Sequence, residues 1–501
     1  MGRSSTPSRP GTSRRPPRRW RGISTARRRS TAILRADVVT GAAAPLPEGL
    51  LVAWYGDDFT GSAAVMEVLT FAGLPSALFF DPPTPAQLAR FRGLRGIGIA
   101  STARAHGPAW MDRELPAVFE TLRGLAAPIS HYKICSTLDS APEVGSIGRA
   151  VDIALPILGS AWAPILAAAP PMRRYQAFGS LFASGPGGVA RLDRHPVMAR
   201  HPVTPMDEAD VARHLSRQTA RPIGLIDLEA LADPAAAEAA RQAQVAAGRT
   251  LLSLDCIDAA SLSACGRLIW EARGPGQLAV GSQGVEYALT RYWRDAGLIP
   301  EAPPAAGIGP AGRMAVVSGS VSPITAAQID WSEANGFAGI AFDARAVVDA
   351  AALAAAEAAA VEAALAAIGA GRDPLVYTAR GPDDPAVPAL RAALDASGVT
   401  AEAANARIGA ALGRILDAVV RRAGLRRAVI SGGDTSGHAS RQLGVHALTA
   451  LAPTIPGAAI FRAHGEGAHD GLELALKGGQ MGSPDYFGWV RDGGGPRSGP
   501  C

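Results

Sequence analysis

The sequence predicts an α/β fold of two α/β domains, each with a mostly parallel sheet. Three observations carry that expectation. Short apolar runs alternate with helix-length stretches from Leu50 onward. A Pro- and Gly-rich interruption, "EAPPAAGIGPAG" at 301–312, breaks the series once, and a second series then runs to about residue 487. Apolar runs separated by helices read as strands buried on both faces and joined by crossovers, which is parallel sheet. At 501 residues, 48% hydrophobic and 19% charged, the chain can bury two or three cores.

Residues 1–47 read as a disordered Arg-rich tail. Eleven arginines precede the first acid, Asp37, so the remaining chain carries a net −6 although the whole is +5. The basic character belongs to the tail and gives no support to a nucleic-acid partner for the body. The tail has too few large apolar residues to order itself, and it lacks the apolar stretch of a secretory signal. The four cysteines, Cys135, Cys256, Cys265 and Cys501, contain no C-x-x-C pair. That excludes ribbon-type zinc sites and fits a cytoplasmic protein.

Domain one spans 48–300. "LLVAWYG" is a strand, and "SAAVMEVLTFAG" is a helix closed by Gly73. "SALFFD", "GIGIAS", "HYKICST", "PIGLIDL", "TLLSLD" and "LAVGSQG" continue as strands. In such sheets ligands sit at the carboxyl ends of strands. Asp57 and Asp58 follow the first strand directly, with Thr60 expected to cap the helix. A cap does not require two acids, so the pair is a candidate for binding hydroxyls or a metal. Lys133, Ser136, Thr137 and Asp139 gather at a later strand end, with Arg149 at the start of the next helix. A cation with hydroxyls near a helix N-terminus suits an anionic, hydroxylated ligand. His195 and His201 each precede a proline at a spacing that matches no common metal pattern. "TPMDEAD" reads as a helix start near Pro205.

Domain two spans 313–487, after the 301–312 linker. Its strands are "RMAVVSGS", "FAGIAFD", "DPLVYTA", "RRAVISGGD" and "AAIFRA". Ser318 to Ser320, Gly432 to Gly437 and Lys477 to Gly482 form three Gly-rich turns, two of them between strand and helix. Such turns present backbone N–H groups to phosphate oxygens. "GIGPAG" in the linker fits the dinucleotide pattern but precedes a strand, and no Walker motif occurs. The alanine-rich run from Ala346 contains Asp349, Glu357 and Glu362 and reads as a soluble helix, so no membrane is expected. Residues 488–501 read as a flexible tail.

"GDDFTGS", "YKICSTLDS", "HPVTPM", "SGGDTSG" and "LKGGQMGSPDYF", in that order, resemble the four-carbon acid sugar kinase family. The resemblance covers residues 50–487. It implies a sugar-acid-binding domain one, an ATP-binding domain two and an active-site cleft between them. It implies ATP with Mg²⁺ as cofactors and a 3-oxo-tetronate, threonate or erythronate as substrate. Asp57, Asp58, Lys133, Ser136, Thr137, Asp139 and Arg149 would face the sugar acid. Ser318, Gly432, Gly433, Asp434, Thr435 and Gly478 would hold the nucleotide. Asp57, Asp58 and Asp434 are the candidates for the catalytic acid–base group. The third turn departs from the family's "K-S-G-N-F-G", carrying Gly478, Gln480 and Met481 instead. A different hydroxy-acid substrate, a non-catalytic binding relative and a homo-oligomer stay open.

Overall fold

The computed structural model describes residues 44–185, 187–201 and 203–497, with the side chain of Asp434 also outside that description. The expected Arg-rich tail, up to residue 43, lies outside the described residues.

Among the described residues, fifteen strands form one continuous sheet. Its first half is parallel throughout, in the order Ser76–Phe79, Gly96–Ile99, Val52–Gly56, Ile129–Lys133, Gln277–Gly281, Ala163–Leu166, Leu251–Leu254, Ile223–Ile226. Val52 pairs with both Gly96 and Ile129, and Lys133 pairs with Gly56 and Gly281, so the carboxyl ends stand level. The strands are buried on both faces because helices cover both, which explains their unbroken apolar runs. The second half places Phe337–Ala341, Asp373–Tyr377, Ala315–Ser318, Arg427–Ser431 and Glu473–Lys477 in parallel, then turns antiparallel through Ile460–Gly465 and Val445–Ala452.

The two mostly parallel halves are fused into one sheet. Val445–Ala452 pairs antiparallel with Ser76–Phe79, joining the halves edge to edge through Leu448–Leu78 and Ala447–Phe79. Each half hides the other's open edge, where unpaired N–H and C=O groups would otherwise face water. Glu67, on the helix Phe59–Phe71, reaches across and accepts from the Gly457 N–H at 3.0 Å.

Three expectations change. The linker is not free: Ile308 N–H donates to Gly493 O and Ala311 N–H to Arg491 O. The C-terminal stretch packs at least to Gly495, because Trp489 and Val490 are buried beside Tyr486 and Phe487. The helix expected near Pro205 begins at Val211, capped by Asp210. Sequence reading also missed the strand Ala163–Leu166 and a three-stranded antiparallel sheet over Arg174–Ala177, Ser180–Gly185 and Gly188–Arg191. The alanine-rich run forms the helix Ala350–Gly369, long and apolar enough by composition to cross a bilayer. It lies against the helix Ala401–Ala423, with Arg414 paired to Glu357 and Arg422 to Glu362.

Candidate functional site

Asp58, not Thr60, is the N-cap of the helix Phe59–Phe71. Its backbone is extended, its Oδ1 accepts from the Gly61 N–H at 3.1 Å and its Oδ2 from the Thr60 hydroxyl at 2.8 Å. The helix starts two residues earlier than a Thr60 cap would place it, because Asp58 already satisfies a free N–H of its first turn. Asp57 is 1% exposed. Its partner is Arg104, which donates from Nε to Oδ2 at 3.0 Å and from Nη2 to Oδ1 at 2.6 Å. The same Nη2 donates to Asp58 Oδ1 at 2.9 Å. One guanidinium thus clamps both carboxylates, and the Arg104 N–H donates to Asp57 O at 2.9 Å. Burial pushes the Asp57 carboxyl up, against the pull of Arg104. Burial also works to raise Asp58, but Arg104 and Lys133 outweigh it and hold that carboxyl below the ordinary range.

Lys133 is buried at the end of the neighbouring strand and donates to Ile134 O at 2.7 Å. A Cβ built on Gly61 would lie 2.2 Å from Asp58 Oδ1 and 2.6 Å from Lys133 Nζ. Glycine at 61 is what lets the ammonium and the carboxylate share one space. Thr137 donates to Asp139 Oδ1 at 3.0 Å and lies 2.9 Å from the Cys135 sulfur. Burial first, and then Asp139, push that thiol up to about 11. Arg174, from the antiparallel sheet, lies near Cys135 and the Asp139 carboxylate, and its buried Nε has no hydrogen-bond partner among the described residues. Ser136 is half-buried on the same turn. Arg149 is drawn elsewhere, onto Asp112 at 2.5 Å.

The three Gly-rich turns of the second half lie at the ends of neighbouring strands. Hydrogen bonds lace four strand ends in a row: Thr378 N–H to Ser318 O, Gly319 N–H to Ser431 O, and Gly432 N–H to Lys477 O. Gly432 has φ +125, a conformation glycine alone takes freely, and opens the helix Gly433–Gln442. Gly433 faces open space, with no atom within 4 Å of a built Cβ. Thr435 Oγ1 is 2.3 Å from where a Gly319 Cβ would be, and Ser320 Oγ is 2.5 Å from that of Gly479. Ser322 donates to Gly479 O at 2.5 Å and Thr325 to the same oxygen at 3.1 Å. Gly478 follows Lys477, with the Met481 sulfur 3.2 Å from its built Cβ. Lys477 is fully buried, donates to Gly478 O at 2.9 Å, and burial lowers it to about 7. Asp434 is the second residue of the helix Gly433–Gln442.

The two clusters meet. A Cβ on Gly437 would lie 3.7 Å from the Phe59 ring and 4.0 Å from Thr102. These residues flank Asp58 and Arg104 in sequence, so the helix that opens at Gly433 abuts the acid pair. Among the described residues, no three His, Cys, Asp or Glu side chains gather as a metal cage. Arg104, Arg174 and the role of Lys477 went unread in the sequence. The only signal for Arg104 was its place just after the strand end "GIGIAS".

Residues 52–289 match the family described as the sugar-binding N-terminal domain, and residues 315–487 the nucleotide-binding C-terminal domain. The chain is 45% identical over 448 residues to the 3-oxo-isoapionate kinase of Paraburkholderia graminis, covering 89% of this chain and 95% of that one. It is 31% identical over 445 residues to the 3-oxo-tetronate kinase of Cupriavidus necator, covering 87% and 95%. Among solved structures, a chain from Salmonella typhimurium LT2 superposes at TM-score 0.70 and 24% identity, over 88% of this chain and 98% of that one. At that identity the likeness speaks for the fold.

Proposed function

The chain belongs to the four-carbon acid sugar kinase family and is a kinase of small acid sugars; from that premise we propose that it transfers the γ-phosphoryl group of ATP to a hydroxyl of a small 3-oxo acid sugar, with Asp58 as the carboxylate that receives the substrate hydroxyl. The 45% identity to a 3-oxo-isoapionate kinase makes 3-oxo-isoapionate the first substrate to test, ahead of 3-oxo-tetronate.

The observation that carries the reading is the packing of Gly437 on Phe59, which sets the Gly-rich turn beside the acid pair. Phosphoryl transfer asks mainly for positioning and charge neutralisation. Asp57, buried and held by two bonds from Arg104, acts as the anchor that positions Arg104. Asp58 is more open, at 24% side-chain exposure, and its Oδ2 holds only the Thr60 hydroxyl, leaving a lone pair for a substrate hydroxyl. Its depressed pKa keeps it ionised, which suits hydrogen-bond acceptance and a late proton transfer. Lys133 has two further N–H donors for the acid sugar's carboxylate, and Arg174 Nε a third. Ser136, Thr137 and Asp139, on the turn that follows the Lys133 strand, are assigned to the sugar hydroxyls.

On the nucleotide side, Ser318, Gly432, Gly433, Thr435 and Gly478 cradle the phosphates. The free N–H groups of the helix at Gly433 carry roughly half a positive charge toward them. Lys477 supplies a further cation. Mg²⁺ fits this site as a nucleotide-borne ion, since it is commonly held by phosphates with one or two carboxylates rather than by a protein cage. The ion would neutralise charge on the phosphates, and Asp434, by its place at the start of the helix that opens at Gly433, is the candidate for its carboxylate contact. The test is Asp58→Asn. Turnover should fall about a hundredfold or more, the scale of a lost acid–base group, while calorimetry shows unchanged ATP binding. Near-normal turnover would move the role to Asp434.

A further inference from the structure

We propose that the cleft lined by Pro323, Ala326 and Arg380 to Pro385 binds the base and ribose of the nucleotide, so that ATP lies along the strand ends with its γ-phosphate toward Asp58. This rests on the nucleotide reading above and adds to it a subsite and a direction.

The cleft has a volume of about 450 Å³, within the range of small-molecule sites. It opens at the carboxyl end of the strand Asp373–Tyr377, next to the strand that ends in Ser318. Thr378 N–H donates to Ser318 O at 3.1 Å, so the loop 378–385 leaves the sheet beside the first phosphate turn. Its other wall is the first turn of the helix Pro323–Ala334, which follows that phosphate turn. The row then runs cleft, Ser318, Gly432, Lys477, at about 4.8 Å per strand. The helix that opens at Gly433 is the one that touches Phe59. A nucleotide with its base in the cleft therefore presents its phosphates to the turns and their terminus to the acid pair.

The cleft's chemistry selects the neutral end of the nucleotide. Pro323, Ala326, Pro382 and Pro385 offer apolar surface to a flat base. Among the described residues lining it Arg380 is the one cation, and it is already committed, with Nη1 to Asp330 at 2.7 Å and Nη2 to Glu333 at 2.6 Å. Its guanidinium also lies 5.4 Å from the Tyr377 ring centre. Asp330 and Glu333 pair with that cation, and Asp383 and Asp384 line the same cleft, so a polyphosphate would be repelled. Ribose hydroxyls are donors and suit Asp383, which is exposed and has no hydrogen-bond or ion-pair partner among the described residues. The loop is held ready. Asp384 accepts from Arg380 N–H at 2.6 Å and Ala386 N–H at 2.8 Å. Gly381, at φ +130, lies so near the helix that its built Cβ would be 3.1 Å from the Ala326 Cβ.

Calorimetry on the full chain tests this with two probes, ATP and inorganic tripolyphosphate, each with Mg²⁺. Ala326→Trp fills the cleft from the helix surface. It should weaken ATP at least tenfold and leave tripolyphosphate within twofold. Asp383→Ala, at an exposed site that leaves folding intact, should weaken ATP several-fold and reduce its advantage over 2′,3′-dideoxy-ATP. Gly433→Val is the control and should weaken both ATP and tripolyphosphate. If Ala326→Trp and Asp383→Ala bind ATP as wild type does while Gly433→Val does not, the base lies elsewhere and the cleft assignment is overturned with the phosphate site intact. Equal loss of both probes in Ala326→Trp overturns it too. If Gly433→Val changes neither probe, the nucleotide reading falls, and the subsite with it.

Discussion

Arg104→Ala removes the single guanidinium that holds Asp57 and Asp58 together. Three charge-assisted hydrogen bonds go, at 2.6, 2.9 and 3.0 Å. The two acids lose unequally. Asp58 keeps its bonds from Gly61 and Thr60 and is partly open to water, so its share is small. Asp57 is 1% exposed and keeps no counter-charge in contact. Removing one partner of a buried pair costs about 3–5 kcal/mol, because the other charge stays buried alone. Most of that should fall on Asp57. Urea unfolding of the ligand-free protein should show the unfolding free energy lowered by that amount, seen as a lower midpoint at constant slope. The same substitution in an Asp57→Asn background meets a neutral amide. There it should cost only about 1 kcal/mol, the scale of an ordinary hydrogen bond. The coupling between the two sites should thus be at least about 2 kcal/mol. Additive costs, or a loss below about 1 kcal/mol in the single variant, would refute the clamp.

Gly433→Val should weaken ATP tenfold or more while the acid sugar still binds, because the built Cβ points into open space where phosphate would enter; unchanged ATP affinity in calorimetry would contradict it. Lys477 is held near pKa 7 against an ordinary 10.5, so between those values the unfolded chain carries a proton the native one lacks, and native stability should rise with pH across that window. Phosphate should restore the proton: at pH 8 ATP binding should take up close to one, read from heats in buffers of different ionisation enthalpy, and Lys477→Met should abolish the uptake. Glu67, pushed by burial up to about 8 from an ordinary 4.5, keeps a proton that the unfolded chain releases, so its contribution to stability should fall with rising pH between those values by up to about 1.4 kcal/mol per unit. Thermal melts of Glu67→Gln should lack that slope, and parallel pH curves for variant and wild type would sink the assignment.

What the sequence made legible followed from local pattern. Asp57 and Asp58 stood out because an apolar strand, a polar turn and a helix lie in one continuous stretch. The three Gly-rich turns stood out for the same reason, and their convergence follows from parallel strands ending level. Arg104 was hidden because it lies 46 and 47 residues from its partners, and only the register of Val52 with Gly96 brings the two strand ends side by side. Arg174 comes from an antiparallel excursion with no periodicity to announce it. The fusion of the two sheets depends on Leu448 meeting Leu78, a pairing between edges that local pattern does not encode. Thr60 looked like the cap because hydroxyls often are, yet Asp58 was already in the extended conformation a cap requires.

Phosphorylation of a small acid sugar is proposed to occur at the junction of the acid pair and the Gly-rich turns. ADP release, coupled to a dehydrogenase and run with 3-oxo-isoapionate and 3-oxo-tetronate, measures it directly. Release should depend on the acid sugar, yield one phosphorylated product per ADP and disappear in Asp58→Asn. ADP release that ignores both acid sugars, from a folded protein that binds ATP and the acid sugar together, would contradict it.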